Sequence, residues 1–92
     1  MKYFDWNVEK NEKLKQERNI CFEDVVLIIE AGNILDIMEH KNQKRYPNQK
    51  IFIIEIDSYI YLIPFIEDKE KIFLKTIIPS RKATKKYFNL KP

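Results

Sequence analysis

Ninety-two residues with one glycine, one cysteine and one histidine exclude a glycine-rich phosphate loop, an internal disulfide and a Cys/His zinc site. Hydrophobic residues make up 45% of the chain and charged ones 34%, the balance of one small folded domain with a modest core. The net charge of +3 conceals a division: residues 1–40 carry five bases against nine acids, residues 41–92 twelve against five. From Lys71 onward there are seven bases and no acid. A basic half is the electrostatic footprint expected for a polyanion, whereas a lysine-rich composition alone would give only solvated faces. The apolar run Val25–Ile29 is far short of the roughly 20 residues a bilayer span requires. The N-terminus lacks a signal-peptide core, so a cytoplasmic protein without a cofactor and without a membrane association is expected.

Tyr3-Phe4-Asp5-Trp6 reads as a short extended lead-in. Asn7 is a good N-cap, with Glu9 in the first turn, for a helix to about Arg18. That helix is nearly all polar, with Val8 and Leu14 as its apolar anchors, and belongs on the surface. Asn19-Ile20 breaks it. A second helix follows with Phe22, Val25, Val26 and Ile29 on one side. Cys21-Phe22-Glu23-Asp24 has the shape of a capping box with a thiol in place of a hydroxyl, and Gly32 is placed for a left-handed C-cap.

The period then changes. Ile34–Glu39 predicts a first strand, Lys41–Asn48 a polar loop containing Pro47, and Ile51–Ile56 a second strand. Asp57-Ser58 is a two-residue turn to a hairpin partner, Tyr59–Phe65, in which Pro64 implies a sheet edge or a bulge. Residues 67–70 make the next turn, Lys71–Ile78 the last strand, and Ser80 a cap for a terminal helix from about Arg81 to Phe88. The expectation is an α+β domain covering residues 1–92. Two N-terminal helices precede a four-stranded antiparallel sheet and a C-terminal helix, with the helices packed on one sheet face.

The stretch Pro79-Ser80-Arg81-Lys82-Ala83-Thr84-Lys85-Lys86 is the most informative. Arg81 and Lys82 fall in a first helical turn whose dipole is already positive, so local stability does not ask for them, and a bound phosphate would. Arg81 suits a phosphate in fork geometry, with Ser80 completing the cradle. Strand alternation places Lys71 and Lys75 with Phe73 and Ile77, and Thr76 with Leu74 and Ile78; Lys50 shares the Phe52-Ile54-Ile56 face and Glu55 the reverse. Tyr59 and Tyr61 could stack bases or could belong to the core. His40, ahead of the basic loop with Lys44 and Arg45, is an acid–base candidate or an ordinary loop residue. Trp6 reads as a core anchor at the sheet edge.

Phe4-Asp5-Trp6-Asn7 with Lys10, then Ile20-Cys21-Phe22-Glu23-Asp24, and finally Ile77-Ile78-Pro79-Ser80-Arg81-Lys82-Ala83-Thr84 resemble the BrnT-type toxins. These are ribonuclease toxins of bacterial type II toxin–antitoxin systems with a RelE-like fold. The resemblance runs from about residue 3 to 88. Cys21 stands where the family usually has serine, Arg18-Asn19 where it has His-Gly, Thr76 where it has a strand base, and Lys50 where it often has arginine. Arg81 matches unchanged. The resemblance implies metal-independent RNA cleavage and neutralisation by an antitoxin, commonly a small protein with a DNA-binding fold, in a hetero-oligomer. On that basis Arg81 is assigned to the scissile phosphate, Lys50 and Lys82 to charge stabilisation, and His40 or Glu55 to proton transfer. Lys75, Lys71, Arg45, Ser80 and Lys85 would hold the RNA. A binding module of the same fold that holds RNA or a partner without cleaving is the alternative. The aliphatic strands in so small a core also predict an apolar patch for the partner to cover.

Overall fold

The computed structural model describes residues 2–39 and 41–89. In chain order these form β1 (Tyr3–Trp6), α1 (Val8–Arg18), α2 (Phe22–Glu30), β2 (Ile34–Glu39), β3 (Gln49–Ile56), β4 (Tyr59–Glu67), β5 (Lys71–Leu74), β6 (Ile78–Pro79) and α3 (Arg81–Asn89). The class is α+β, as expected, but the sheet is larger and mixed. Its order is β1-β5-β4-β3-β2, with β6 also on β4, and β1 lies parallel to β5 with Tyr3 opposite Lys71 and Trp6 opposite Leu74. Four residues carry too little pattern to announce a strand. Its partner is almost the whole chain away, so nothing local marks the pairing.

The helix signals are local and hold. Asn7 Oδ1 accepts the Lys10 N–H at 2.9 Å, and Asn19 closes α1 in the left-handed region at φ 53°. Val8 is not an anchor, because it is 69% exposed; Leu14 and Asn11 are the buried members of α1. Asn11 accepts the Phe22 N–H at 2.8 Å and donates to Glu23 Oε1 at 2.6 Å, tying α1 to the first turn of α2. Cys21 occupies the N-cap of α2 with an extended backbone and makes no side-chain cap bond. Gly32, at φ +80°, follows the helix end in the conformation only glycine takes freely.

Asp57 and Ser58 both have positive φ, the backbone of a tight hairpin turn whose twist matches the flanking strands. Register then sorts the side chains. Phe52 and Ile54 of β3 lie opposite Ile63 and Tyr61 of β4, and Phe65 opposite Leu74 of β5. With Leu14, Phe22, Val25 and Ile77 these residues form one cluster, so α1 and α2 close this face. Phe52 and Phe65 stack at 3.9 Å between ring centroids, and Trp6 stacks on Phe22 at 5.8 Å, the edge anchor expected of it.

The last strand is broken where the sequence predicts continuity. Phe65 pairs Leu74 but Leu62 pairs Ile78, so β5 and β6 oppose β4 with one extra residue between them. This bulge reverses the predicted alternation: Ile77 is buried with Leu74 in the core, and Ile78 is exposed beside Leu62 on the other face. It also accounts for Pro64 in β4, a central rather than an edge strand. Pro64 C=O accepts the Lys75 N–H at 2.8 Å. A strand residue's nitrogen and carbonyl point to the same side, so the missing N–H of Pro64 faces the interrupted stretch, where no ladder acceptor is left waiting. Finally, α3 does not join α1 and α2. Its partners Ile53, Ile60 and Leu62 belong to the opposite face, so the helices cover both sides of the sheet.

Candidate nucleic-acid interface

The open face is a half-covered one. Ser80 docks α3 by donating its N–H to the Ile60 carbonyl at 2.9 Å, and its Oγ accepts the Ala83 N–H at 3.1 Å as the helix cap. Thr84 Oγ1 donates to the Ser80 carbonyl at 2.7 Å and accepts the Ile60 N–H at 2.9 Å, so one hydroxyl clamps helix to strand. Beyond α3 the face continues as two adjoining hollows of about 420 Å³ and 330 Å³. They share Ile51 and Leu62 as a floor and make one trough.

The rim is cationic. Lys41, Lys82 and Lys86 line the α3 end with a single carboxylate, Glu39, and Lys10 and Lys75 line the other end. None of these five ammonium groups forms an ion pair among the described residues. Two tyrosines border the apolar floor, Tyr87 on α3 and Tyr46 at the far end. The Tyr87 phenol is pushed up from its ordinary pKa by burial and by the nearby Asp36 carboxylate. A larger hollow of about 830 Å³ runs beside α1, but there Glu9 and Glu12 interleave with Lys10 and Lys13, and no net field results.

The residues singled out in the sequence divide accordingly. Ser80, Lys82 and Lys75 line the trough. Arg81 and Lys85 are exposed on α3 and free of ion pairs among the described residues, but the Lys82–Lys86 stripe faces the trough and the Arg81–Lys85 stripe lies beside it. Lys50 is opposite Phe65 and Glu39 on the face closed by α1 and α2, so it is not brought together with α3. Glu55 is on the α3 face opposite Ile60, away from the trough lining and engaged with a partner of its own. Lys71 does not line the trough: at the start of β5 it stands 3.5 Å from Asp5 Oδ2 of β1 and 5.9 Å from the Phe73 ring, and is partly neutralised there. Arg45 lies over the Tyr46 ring at 5.6 Å. His40 lies outside the described residues. Tyr59 and Tyr61 meet edge to face at 5.7 Å, and Tyr61 packs on the core, so neither is a platform on the open face.

Lys41, Lys86, Lys10, Tyr46 and Tyr87 were given no site role from the sequence, although Lys10 and Lys86 fall in the stretches it singled out. Helical spacing of Ala83 with Tyr87, beside Lys82 with Lys86, carries a signal for the α3 members. Nothing local places Lys10 or Tyr46 on the same trough. Compared with family models, with curated proteins and with solved structures, the chain matches none of them.

Proposed function

We propose that this protein binds RNA along the trough and cleaves it, as the endoribonuclease toxin of a type II toxin–antitoxin pair. The observation that carries this reading is five lysines without ion pairs around an apolar floor on one open sheet face. Phosphates suit the rim and unpaired bases the floor and its tyrosines. The chemistry is transesterification: the ribose 2′-OH loses its proton, its oxygen attacks the adjacent phosphorus, and the 5′-oxygen leaves with a proton. The products are a 2′,3′-cyclic phosphate and a 5′-OH. Lys82 and Lys86 from the trough wall, with Arg81 reaching over from the same helix, neutralise charge developing on the phosphoryl oxygens. Among the described trough groups able to exchange the nucleophile's proton, the Tyr87 phenol stands with Lys82 and Lys86 on α3, whereas Glu39 sits at the rim with its register opposite Lys50 on the other face. An antitoxin would cover the apolar edge at Met38 and Ile78, which are 44% and 42% exposed.

The trough's single carboxylate favours a second reading, a module that holds RNA without cutting it. Incubation of the purified protein with RNA in EDTA separates the two. Fragments ending in 2′,3′-cyclic phosphate are the expected result, and intact RNA refutes cleavage. Lys82→Ala is expected to reduce the cleavage rate by about 10²-fold, the scale of removing one charge-stabilising group. A variant cleaving at the wild-type rate removes Lys82 from the assignment, and Arg81→Ala is judged in the same way. Light scattering with the product of the neighbouring gene tests the partner, expected to form a hetero-oligomer and raise the melting temperature.

A further inference from the structure

We infer that the trough is a two-subsite channel for single-stranded RNA, the second subsite being built by Lys10, Tyr46 and Lys75. The inference rests on the RNA-binding reading above and gives separate positions along the strand to residues that reading treats together.

Three independent parts of the chain converge at this end: the first turns of α1 with Lys10, the loop before β3 with Tyr46, and the β5–β6 bulge with Lys75 and Thr76. Lys75 follows the buried Leu74 and so falls on the trough face by plain alternation, while the bulge beyond it returns Ile77 to the core and turns Ile78 to the same hollow. Lys10 and Lys75 have no ion pair among the described residues, and no carboxylate lines this hollow. Both lysines border that hollow, an arrangement that a bound anion would complement. On the reading above, the α3 subsite, with Lys82 and Lys86, would take one phosphate.

The spacing fits a strand lying along both. Ile53 borders the α3 hollow, Ile51 both hollows and Gln49 the far one. At ~3.3 Å per residue the floor therefore runs ~13 Å along β3. An aliphatic floor flanked by one tyrosine at each end addresses the faces of bases, which a duplex hides within its own stack.

The test uses uncleavable 2′-O-methyl strands of about ten nucleotides, within the roughly 4–16 nucleotides engaged by comparable single-strand folds, and fluorescence anisotropy in EDTA. The single strand is expected to bind about tenfold tighter than its own duplex. Lys75→Glu should weaken single-strand binding about tenfold and flatten the salt dependence by about one counterion or more, while Lys71→Glu, outside the trough and beside Asp5, should change it less than about twofold. Lys75→Gln should give a smaller loss in the same direction, and melting temperatures near wild type confirm folding. Equal losses in Lys75→Glu and Lys71→Glu, or equal affinity for duplex, overturn the two-subsite channel. So does binding of an acidic, leucine-bearing peptide where no oligonucleotide binds. Because the strand cannot be cut, RNA binding with this pattern but no cleavage of ordinary RNA refutes the catalytic reading and leaves the channel standing. Cleavage of long RNA by Lys75→Glu at the wild-type kcat/KM does the reverse.

Discussion

The two faces of the sheet draw on the same aliphatic alphabet and use it differently. On one, Phe52, Ile54, Ile63, Phe65 and Leu74 disappear beneath α1 and α2 in a single cluster. On the other, Ile53 and Ile60 are buried near α3, but Met38 and Ile78 remain open beside five lysines without ion pairs. In a chain of 92 residues there is material for about one well-covered face. Stability is therefore concentrated on the closed face, and the other is left with the exposed apolar surface and uncompensated charge that binding requires.

The sharpest way to break this comparison is a matched pair of truncations. Phe22 is wholly buried and stacked on Trp6. Phe22→Ala should cost about 3–5 kcal/mol in urea unfolding, a large part of the roughly 5–15 kcal/mol such domains possess. Ile78→Ser on the open face should stay within about 1 kcal/mol. Comparable losses would mean that both faces are equally part of the core. Next in size is Thr84→Val. The change removes the acceptor of the Ile60 N–H and leaves that amide buried without a partner, at a cost of about 1–3 kcal/mol. The loss should be local: amide exchange at Ile60 should accelerate ahead of that in α2, and Thr84→Ser should restore it. Uniform acceleration would show α3 to be cooperative with the closed face.

Cys21→Ser should act in the opposite direction. The N-cap backbone is already extended at φ −144°, ψ 159°, and the thiol makes no cap bond, so a hydroxyl supplies the missing acceptor for a gain of about 0.5–1 kcal/mol. The Cys21 thiol is held above its ordinary pKa chiefly by burial. An unchanged melting temperature would show that a serine there prefers another partner.

What could be read from the residues alone follows the range of the forces concerned. Caps at Asn7 and Ser80, the left-handed Gly32 and the Asp57-Ser58 turn depend on neighbours within four residues, and they stand in the structure as the pattern implies. β2, β3, β4 and the start of the last strand were legible by alternation for the same reason. The parallel docking of β1 on β5 was not, since it joins Tyr3 to Lys71. Nor was the placement of α3, because a helix with no fully buried residue carries no mark of which face it will cover. The site suffered from the bulge most of all. One inserted residue moved Ile77 inward and Ile78 outward, and helical phase moved the trough contact from Arg81 to Lys82. Both are shifts of a single position, to which periodicity is blind once an element is interrupted.

The smallest expected effect concerns acid. The Glu23 carboxyl lies below its ordinary pKa chiefly because the Asn11 amide donates to it, with Lys15 adding attraction at 3.5 Å. Asp68 is lowered chiefly by the Lys71 and Glu70 N–H groups, both bound to its Oδ1 at 2.8 Å. A carboxyl more acidic in the folded than in the unfolded chain adds stability that is complete above its unfolded pKa of about 4. That contribution is lost as pH falls through the lower folded value. Melting temperature should therefore decline below about pH 4, and gently, because both groups face water that screens them. Glu23→Gln keeps an oxygen for the Asn11 amide but cannot titrate, so its decline should be shallower than that of the wild type. Asp68→Asn should flatten the remainder. If Glu23→Gln falls as steeply as the wild type, the neutral carboxyl serves Asn11 equally well. The junction of α1 with α2 would then owe its strength to the buried Asn11–Phe22 bond and nothing to charge.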